Sequence, residues 1–292
     1  AIDAYISVQR DERILLLRRE HVDSLTRQLA GARRRLEVGE VSRTDVAQSQ
    51  TRLAGARASL ARAEADLASS RARYELVVGE PPNALEPVEP PRVPAALDTA
   101  VREAEERHPD ILRAVSDRRI AQARIEIERS ALRPQVSIVG RYDHTEESSM
   151  ENDRSDGASA VAQVSVPLFE GGYARSRMRQ GEINVDRAEA RIEGRRREIV
   201  ASVISAWNNL AAGQDIVAAA QEQVAAADLA VEGAERERGL GLRSTLDVLN
   251  AEEERRNAQV ALARAEADAT FASFALLAST GALTVTVLDI KE

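Results

Sequence analysis

The chain has 292 residues, a net charge of −8, and 43% hydrophobic but only 3% aromatic residues. So few rings cannot fill a thick globular core. An apolar content carried by Ala, Leu, Val and Ile, beside 30% charged residues, favours long helices. The acidic balance argues against a nucleic-acid partner. The lack of cysteine excludes disulfides, thiol nucleophiles and thiolate metal sites, and no run of 18 apolar residues marks a membrane-spanning helix.

Residues 1–79 contain no proline and read as a helical hairpin. In the first arm Val22, Leu25, Leu29, Ala32 and Leu36 form one seam, ending before Gly39. Ser42 or Thr44 can cap the second arm. There Val46, Ser49, Leu53, Ala56, Leu60, Ala63, Leu67, Ser70, Tyr74 and Val77 alternate in steps of three and four, a heptad seam. Ala54, Ala58, Ala61, Ala65, Ala68 and Ala72 make a second seam on another side of the same helix. Two seams predict neighbours on two sides, as in a sheet or cylinder of helices; a simple bundle is the plainer alternative.

Residues 80–109 hold seven of the nine prolines and read as an extended connector with a short helix at 97–107. Residues 110–131 read as a further helix. Within 132–170, Gln135–Asp143 and Ala158–Leu168 are strand candidates joined by the polar stretch His144–Gly157. Each has about the 9–11 residues that a tilted strand needs to cross a bilayer. A surface hairpin of a soluble protein has the same pattern. Residues 171–281 read as a second helical hairpin. Its first arm, Gly171–Arg238, is about 100 Å long at 1.5 Å per residue. Gly181, Gly194, Gly213 and Gly233 inside it mark bends or close helix contacts. Residues 282–292 form a tail.

The second hairpin repeats the first at an offset of 202. Leu60–Asp66 and Leu262–Asp268 are both LARAEAD, and Gly39, Asp45, Val46 and Gly79 match Gly241, Asp247, Val248 and Gly281. The first copy has no counterpart of the strand pair, so the repeat predicts roughly a hundred further residues ahead of Ala1.

No catalytic constellation is visible. His21, His108 and His144 are scattered and read as exposed or capping residues. Gly171-Gly172 lacks the continuation of a phosphate loop. Glu252–Glu254 and Arg195–Arg197 read as solvated helix faces.

Four motifs in order resemble the TolC family of outer-membrane efflux and secretion ducts, with wording nearest the type I secretion branch. They are Arg133–Ile138 (RPQVSI), Val166–Gly172 (VPLFEGG), and the turns Leu36–Val46 and Gly239–Leu249. The resemblance implies a mainly α fold. Long antiparallel coiled-coil helices form an α-helical tunnel across the periplasm in a homotrimer, and the strand pair contributes to a 12-stranded barrel in outer-membrane lipid. It also implies a periplasmic adaptor and an inner-membrane pump of ABC or RND type as partners, with no cofactor, nucleic acid or enzymatic activity. The function expected is a passive export duct opened at its periplasmic tip. The alternative from another class is a periplasmic coiled-coil adaptor, which accounts for one hairpin but not for two plus a strand pair.

By the same resemblance, Val38, Gly39, Leu240 and Gly241 are adaptor-docking tips. Asp247 is a gate carboxylate, and Asn250 stands where the family has a second acid. Arg243 is a latch residue toward Thr44 and Asp45, and Arg238 replaces a family tyrosine and could pair with Asp45. Helix capping is the plain reading of Thr44 and Asp45.

Overall fold

The computed structural model describes residues 1–146 and 154–284. In order the elements are α1 (Ile2–Glu37), α2 (Arg43–Val78), α3 (Leu97–Arg107), α4 (Pro109–Ser130), β1 (Gln135–Glu146), β2 (Arg154–Ser165), α5 (Tyr173–Gly239) and α6 (Thr245–Thr280). Among the described residues, no helix is long and apolar enough to cross a membrane. The chain divides into two compact units, Ala1–Ala104 with Val200–Glu292, and Glu105–Ile199. The division runs through α5, where the sequence suggested only element boundaries.

In the first unit α1 packs on both α2 and α6. Leu25, Leu29, Leu53, Ala56 and Leu249 form one cluster toward the turns. Val8, Ile14, Leu15, Ala63, Leu67, Val260 and Ala263 form another further along. Leu25, Leu29, Leu53, Ala56, Ala63 and Leu67 are predicted seam residues, and Val8, Ile14 and Leu15 of α1 and Leu249, Val260 and Ala263 of α6 join them from outside the predicted seams. Each buried Leu, Ile or Val contributes about 1.5–3 kcal/mol. The connector straps onto this end. Tyr5 Oη donates to the Glu86 carbonyl at 2.9 Å, and Leu85 packs against the cluster.

The alanine seam of α2 is not covered within the chain. Ala54, Ala58, Ala61, Ala65, Ala68 and Ala72 are all exposed in the chain. Their repeat equivalents on α6 are Arg256, Val260, Ala263, Ala267, Thr270 and Phe274. These are buried or half-buried, and Arg256, Val260 and Ala263 meet α1 directly. The same helix face is therefore covered in one copy of the repeat and open in the other.

α5 runs unbroken through its four internal glycines. Two of them mark close contacts. A Cβ on Gly213 would meet Ala269 Cα of α6 at 3.4 Å, and one on Gly181 would meet Ile125 Cγ1 of α4 at 2.9 Å. In the second unit α4 starts at Pro109, capped by His108, whose Nδ1 accepts the Asp110 amide at 3.2 Å. Ion pairs Arg118–Glu189 at 3.7 Å and Arg177–Glu128 at 3.1 Å join α4 to α5.

β1 and β2 pair antiparallel, from Gln135 opposite Ser165 to Glu146 opposite Arg154. The strands extend into the stretch read as a polar loop, leaving 147–153 of it outside the described residues. β2 ends at Ser165 rather than Leu168, because Pro167 has no N–H to donate to the ladder. Of the predicted tail, 285–292 lie outside the described residues.

Candidate functional site

The two turns of the first unit share one backbone. After α1, Gly39 N–H donates to the Leu36 carbonyl (3.0 Å) and Glu40 N–H to that of Arg35 (2.9 Å). After α5, Gly241 N–H donates to Arg238 (3.0 Å) and Leu242 N–H to Glu237 (2.9 Å). Both are Schellman turns, which need a left-handed residue. Gly39 at φ 80° and Gly241 at φ 78° supply it without the cost that a side chain would bring. Three residues on, Ser42 and Ser244 cap α2 and α6 in identical capping boxes with Asp45 and Asp247. The match of turn, cap and box at one offset makes the duplication a structural fact.

The side chains on these frames differ. At the tips Val38, Leu240 and Leu242 stand 69%, 76% and 74% exposed. The Asp45 carboxylate accepts the Ser42 amide at 2.9 Å and hydroxyl at 2.8 Å. These bonds hold it below the usual carboxylate range, the backbone one first, with Arg35 adding to the effect. Asp247 is lowered by the Ser244 hydroxyl and then its amide, with Arg243 adding to the effect. Both aspartates therefore cap their helices, as the plain reading of Asp45 anticipated. Thr44 is exposed beside its cap.

In this conformation Arg243 Nε is bonded to Glu237, six residues earlier on its own hairpin. Neither Arg243 nor Arg238 reaches Thr44 or Asp45 through a side-chain hydrogen bond or ion pair among the described residues.

The hairpins are instead tied by bonds that the sequence did not predict, among them bonds to Asn250, Glu252 and Glu253. Arg52 of α2 donates from Nη2 to Asn250 Oδ1 at 2.6 Å and pairs through Nη1 with Glu253. Deeper, Gln28 Nε2 donates to both Glu252 oxygens at 2.6 Å, and Arg256 Nη1 donates to Glu20 at 3.3 Å. Glu252 and Arg256 are buried, at 6% and 7% exposure, so Glu252 does not lie on a solvated face. His21 is also buried rather than exposed or capping. Burial pushes its pKa down to about 4, helped by the nearby Arg256 and Arg18, so it is neutral at pH 7. These polar residues recur at seam spacing: His21, Leu25, Gln28 and Ala32 on α1, and Glu252, Arg256, Val260 and Ala263 on α6. That spacing could have found them. Arg195–Arg197 are exposed, as read.

The β-hairpin has two unlike faces. Val136, Ile138, Gly140 and Tyr142 lie opposite Val164, Ala162, Ala160 and Ala158 on one face. The other carries Gln135, Ser137, Arg141 and Asp143 opposite Ser165, Gln163, Ser159 and Gly157, broken only by Val139 opposite Val161. Val136, Ile138 and Tyr142 are 68%, 78% and 70% exposed. The apolar face spans about seven residues, roughly 23 Å along the strand at 3.3 Å per residue, which is about 16–19 Å of height at the ~35–45° tilt of a membrane barrel strand.

Repeated long hairpins with a two-faced strand pair between them define a helical-tunnel fold of the TolC type. The crystal structure of a membrane protein from Pseudomonas aeruginosa has the same fold, with a TM-score of 0.76 at 22% identity over 96% of this chain and 66% of that one. A family model described as outer membrane efflux protein matches residues 100–282, more than half of the chain, and the chain belongs to that family. It is 34% identical over its whole length to the outer membrane efflux protein BepC of Brucella suis, spanning 64% of that protein. It is 26% identical over 85% of its length to the outer membrane protein TolC of Vibrio cholerae, spanning 59% of it. The chain thus spans under two thirds of these relatives. Kinship with outer-membrane efflux proteins sets aside the adaptor alternative.

Proposed function

We propose that this chain forms most of one protomer of an export duct, which crosses the periplasm as a helical tunnel and enters the outer membrane through its strands. The observation that carries this reading is the half-covered repeat. Within the chain, one face of α6 lies on α1. The equivalent face of α2 is open, and so is the part of α5 equivalent to the face of α1 that meets α6. That part of α5 carries Asp215, Ala219, Glu222, Ala226 and Ala230, all exposed. Repeating the α1–α6 contact between α2 of one copy and α5 of the next satisfies both surfaces and closes a ring. The ring proposed holds three copies, as the resemblance to the TolC family implies. The apolar strand face, which is uncovered in one chain, is then lipid-facing in a barrel completed by the other copies.

The tips are the pump-side entrance. Val38, Leu240 and Leu242 around Gly39 and Gly241 offer small apolar knobs to a periplasmic adaptor joined to an inner-membrane pump of ABC or RND type. Asp247 from three copies forms a carboxylate ring that attracts cations, while Asn250 adds no charge. Arg243 closes the entrance by pairing with Asp45 and Thr44 across the hairpins, and opening undoes that pair. Cargo passes without chemistry on the wall.

The product of the complete gene, purified from outer membranes, should be a trimer by light scattering in detergent. It should pass ions in a planar bilayer. A monomer without conductance would end the proposal.

A further inference from the structure

We propose that Glu237 is a built-in competitor of the latch: it holds Arg243 on its own hairpin and thereby favours the unlocked entrance, with Arg35 at the same position of the first tip as a weaker counterpart. The inference rests on the latch reading above and concerns its regulation.

Positions 35 and 237 are the same position of the repeat. Each is the residue whose carbonyl accepts the amide that closes its Schellman turn, from Glu40 at the first tip and Leu242 at the second. That bond folds the chain back, so the residues after the turn come over the side chain at this position. At the second tip the result is direct: the Glu237 carboxylate accepts from Arg243 Nε. At the first tip Arg35 is the cation that acts on Asp45, beyond the two bonds from Ser42.

The duplicated position thus carries opposite charges in the two copies. Each charge is opposite to that of the latch residue on the same tip: Arg35 beside Asp45, and Glu237 on Arg243. Aspartate is kept at 45 and 247 in both copies, whereas Val41 of the first tip stands where the second has Arg243. The negative charge at 237 therefore accompanies the positive charge at 243. A helix-stabilising role does not account for it. Glu237 lies near the C-terminal end of α5, where the helix dipole favours a cation, and the first copy has Arg35 there. Locking requires Arg243 to give up Glu237 and Asp45 to leave the field of Arg35. The Arg243–Glu237 pair is solvent-exposed and worth only a small factor, so docking of a partner at the tips can shift the balance either way.

The test is single-channel recording on the complete trimer, comparing Glu237→Gln, Arg35→Gln, Arg243→Ser and the double variant Glu237→Gln/Arg243→Ser. Glu237→Gln should lower the open fraction about two- to fivefold. Arg35→Gln should act in the same direction but less, because Asp45 keeps its bonds to Ser42. Arg243→Ser should raise the open fraction. The double variant should match Arg243→Ser alone, since Glu237 acts only through Arg243; a merely structural role would give additive effects. An unchanged or raised open fraction in Glu237→Gln, in a protein where Arg243→Ser opens the channel, overturns the competition and leaves the latch standing. If Arg243→Ser changes nothing, the latch itself is wrong and the competition falls with it. Heat resistance of the trimer on gels, equal in all four variants, checks that assembly is intact.

Discussion

The two helical hairpins share a frame to the residue and differ in what surrounds it. The heptapeptide LARAEAD occurs in both. In α2 it buries Ala63 alone, whereas in α6 it buries both Ala263 and Ala265. Identical sequence therefore takes two environments, and the neighbour decides which face is core. A further difference lies deeper. α6 places Glu252 and Arg256 at positions where α2 has Gln50 and Ala54, and it buries them against Gln28 and Glu20 of α1. The second hairpin is thus fastened inside the chain by polar bonds. The first presents a bare alanine face to whatever lies outside the chain.

The sharpest way to break this comparison is to put the same charge on equivalent positions. Ala263→Glu places an unpaired carboxylate in a buried seam, at a cost of several kcal/mol, and should abolish folded protein in outer-membrane fractions. Ala61→Glu sits on the open face, so the chain should fold while trimers fail to form, as seen by gel electrophoresis without heating. Equal behaviour of the two variants would mean that the faces are not in different environments.

Protonation of the fastened layer comes next. His21 has its folded pKa depressed to about 4 from an ordinary 6.5. The unfolded chain therefore takes up a proton before the folded one does as pH falls. Stability contributed by neutral His21 is complete above pH 6.5 and declines toward pH 4, by up to about 3 kcal/mol. The thermal midpoint should drop between pH 7 and pH 5, and His21→Leu should flatten that slope.

Smaller still is the cost of Ala at the left-handed turns. Gly39→Ala and Gly241→Ala should each cost about 1–2 kcal/mol locally. Neither Cβ would meet anything within 4 Å, so strain rather than collision sets the effect, and it should be equal at the two tips in calorimetry. Bulkier residues there should block export while leaving the amount of trimer unchanged. The gentlest change is at the entrance: Asp247→Ala should reduce cation preference in bilayer recordings without opening the channel.

Much of the fold was legible because seam spacing depends only on where apolar residues recur. The seam residues from Val46 to Tyr74 are buried or half-buried as that spacing requires, whereas Val77, the last of the predicted seam, is exposed at the end of α2. The strand ends were less legible. On a barrel strand, alternate positions are polar, so His144, Asp156 and their neighbours read as loop although they pair in register. His21, Glu252 and Arg256 escaped because a search for apolar period passes over polar residues within the seam. The link from Arg52 to Asn250 joins residues 198 positions apart, and no local pattern announces it. The turn glycines and a cap at Ser42 or Thr44 were legible because left-handed φ and N-caps select few residue types. The partner of Arg243 was not, since Glu237 is adjacent only through the turn that the Schellman bonds create.

The central claim is that the contact of α1 with α6 recurs between copies, joining α2 to α5. Gln28 donates to Glu252 within the chain, and the equivalent residues are Ala230 of α5 and Gln50 of α2. These 292 residues contain no cysteine, so Gln50→Cys with Ala230→Cys introduces one defined pair among them. Treating outer membranes that carry the complete protein with a short bifunctional maleimide should produce covalent trimers that survive boiling, while each single variant gives none. Monomers alone from the double variant, with both cysteines shown to be reactive, would contradict the account.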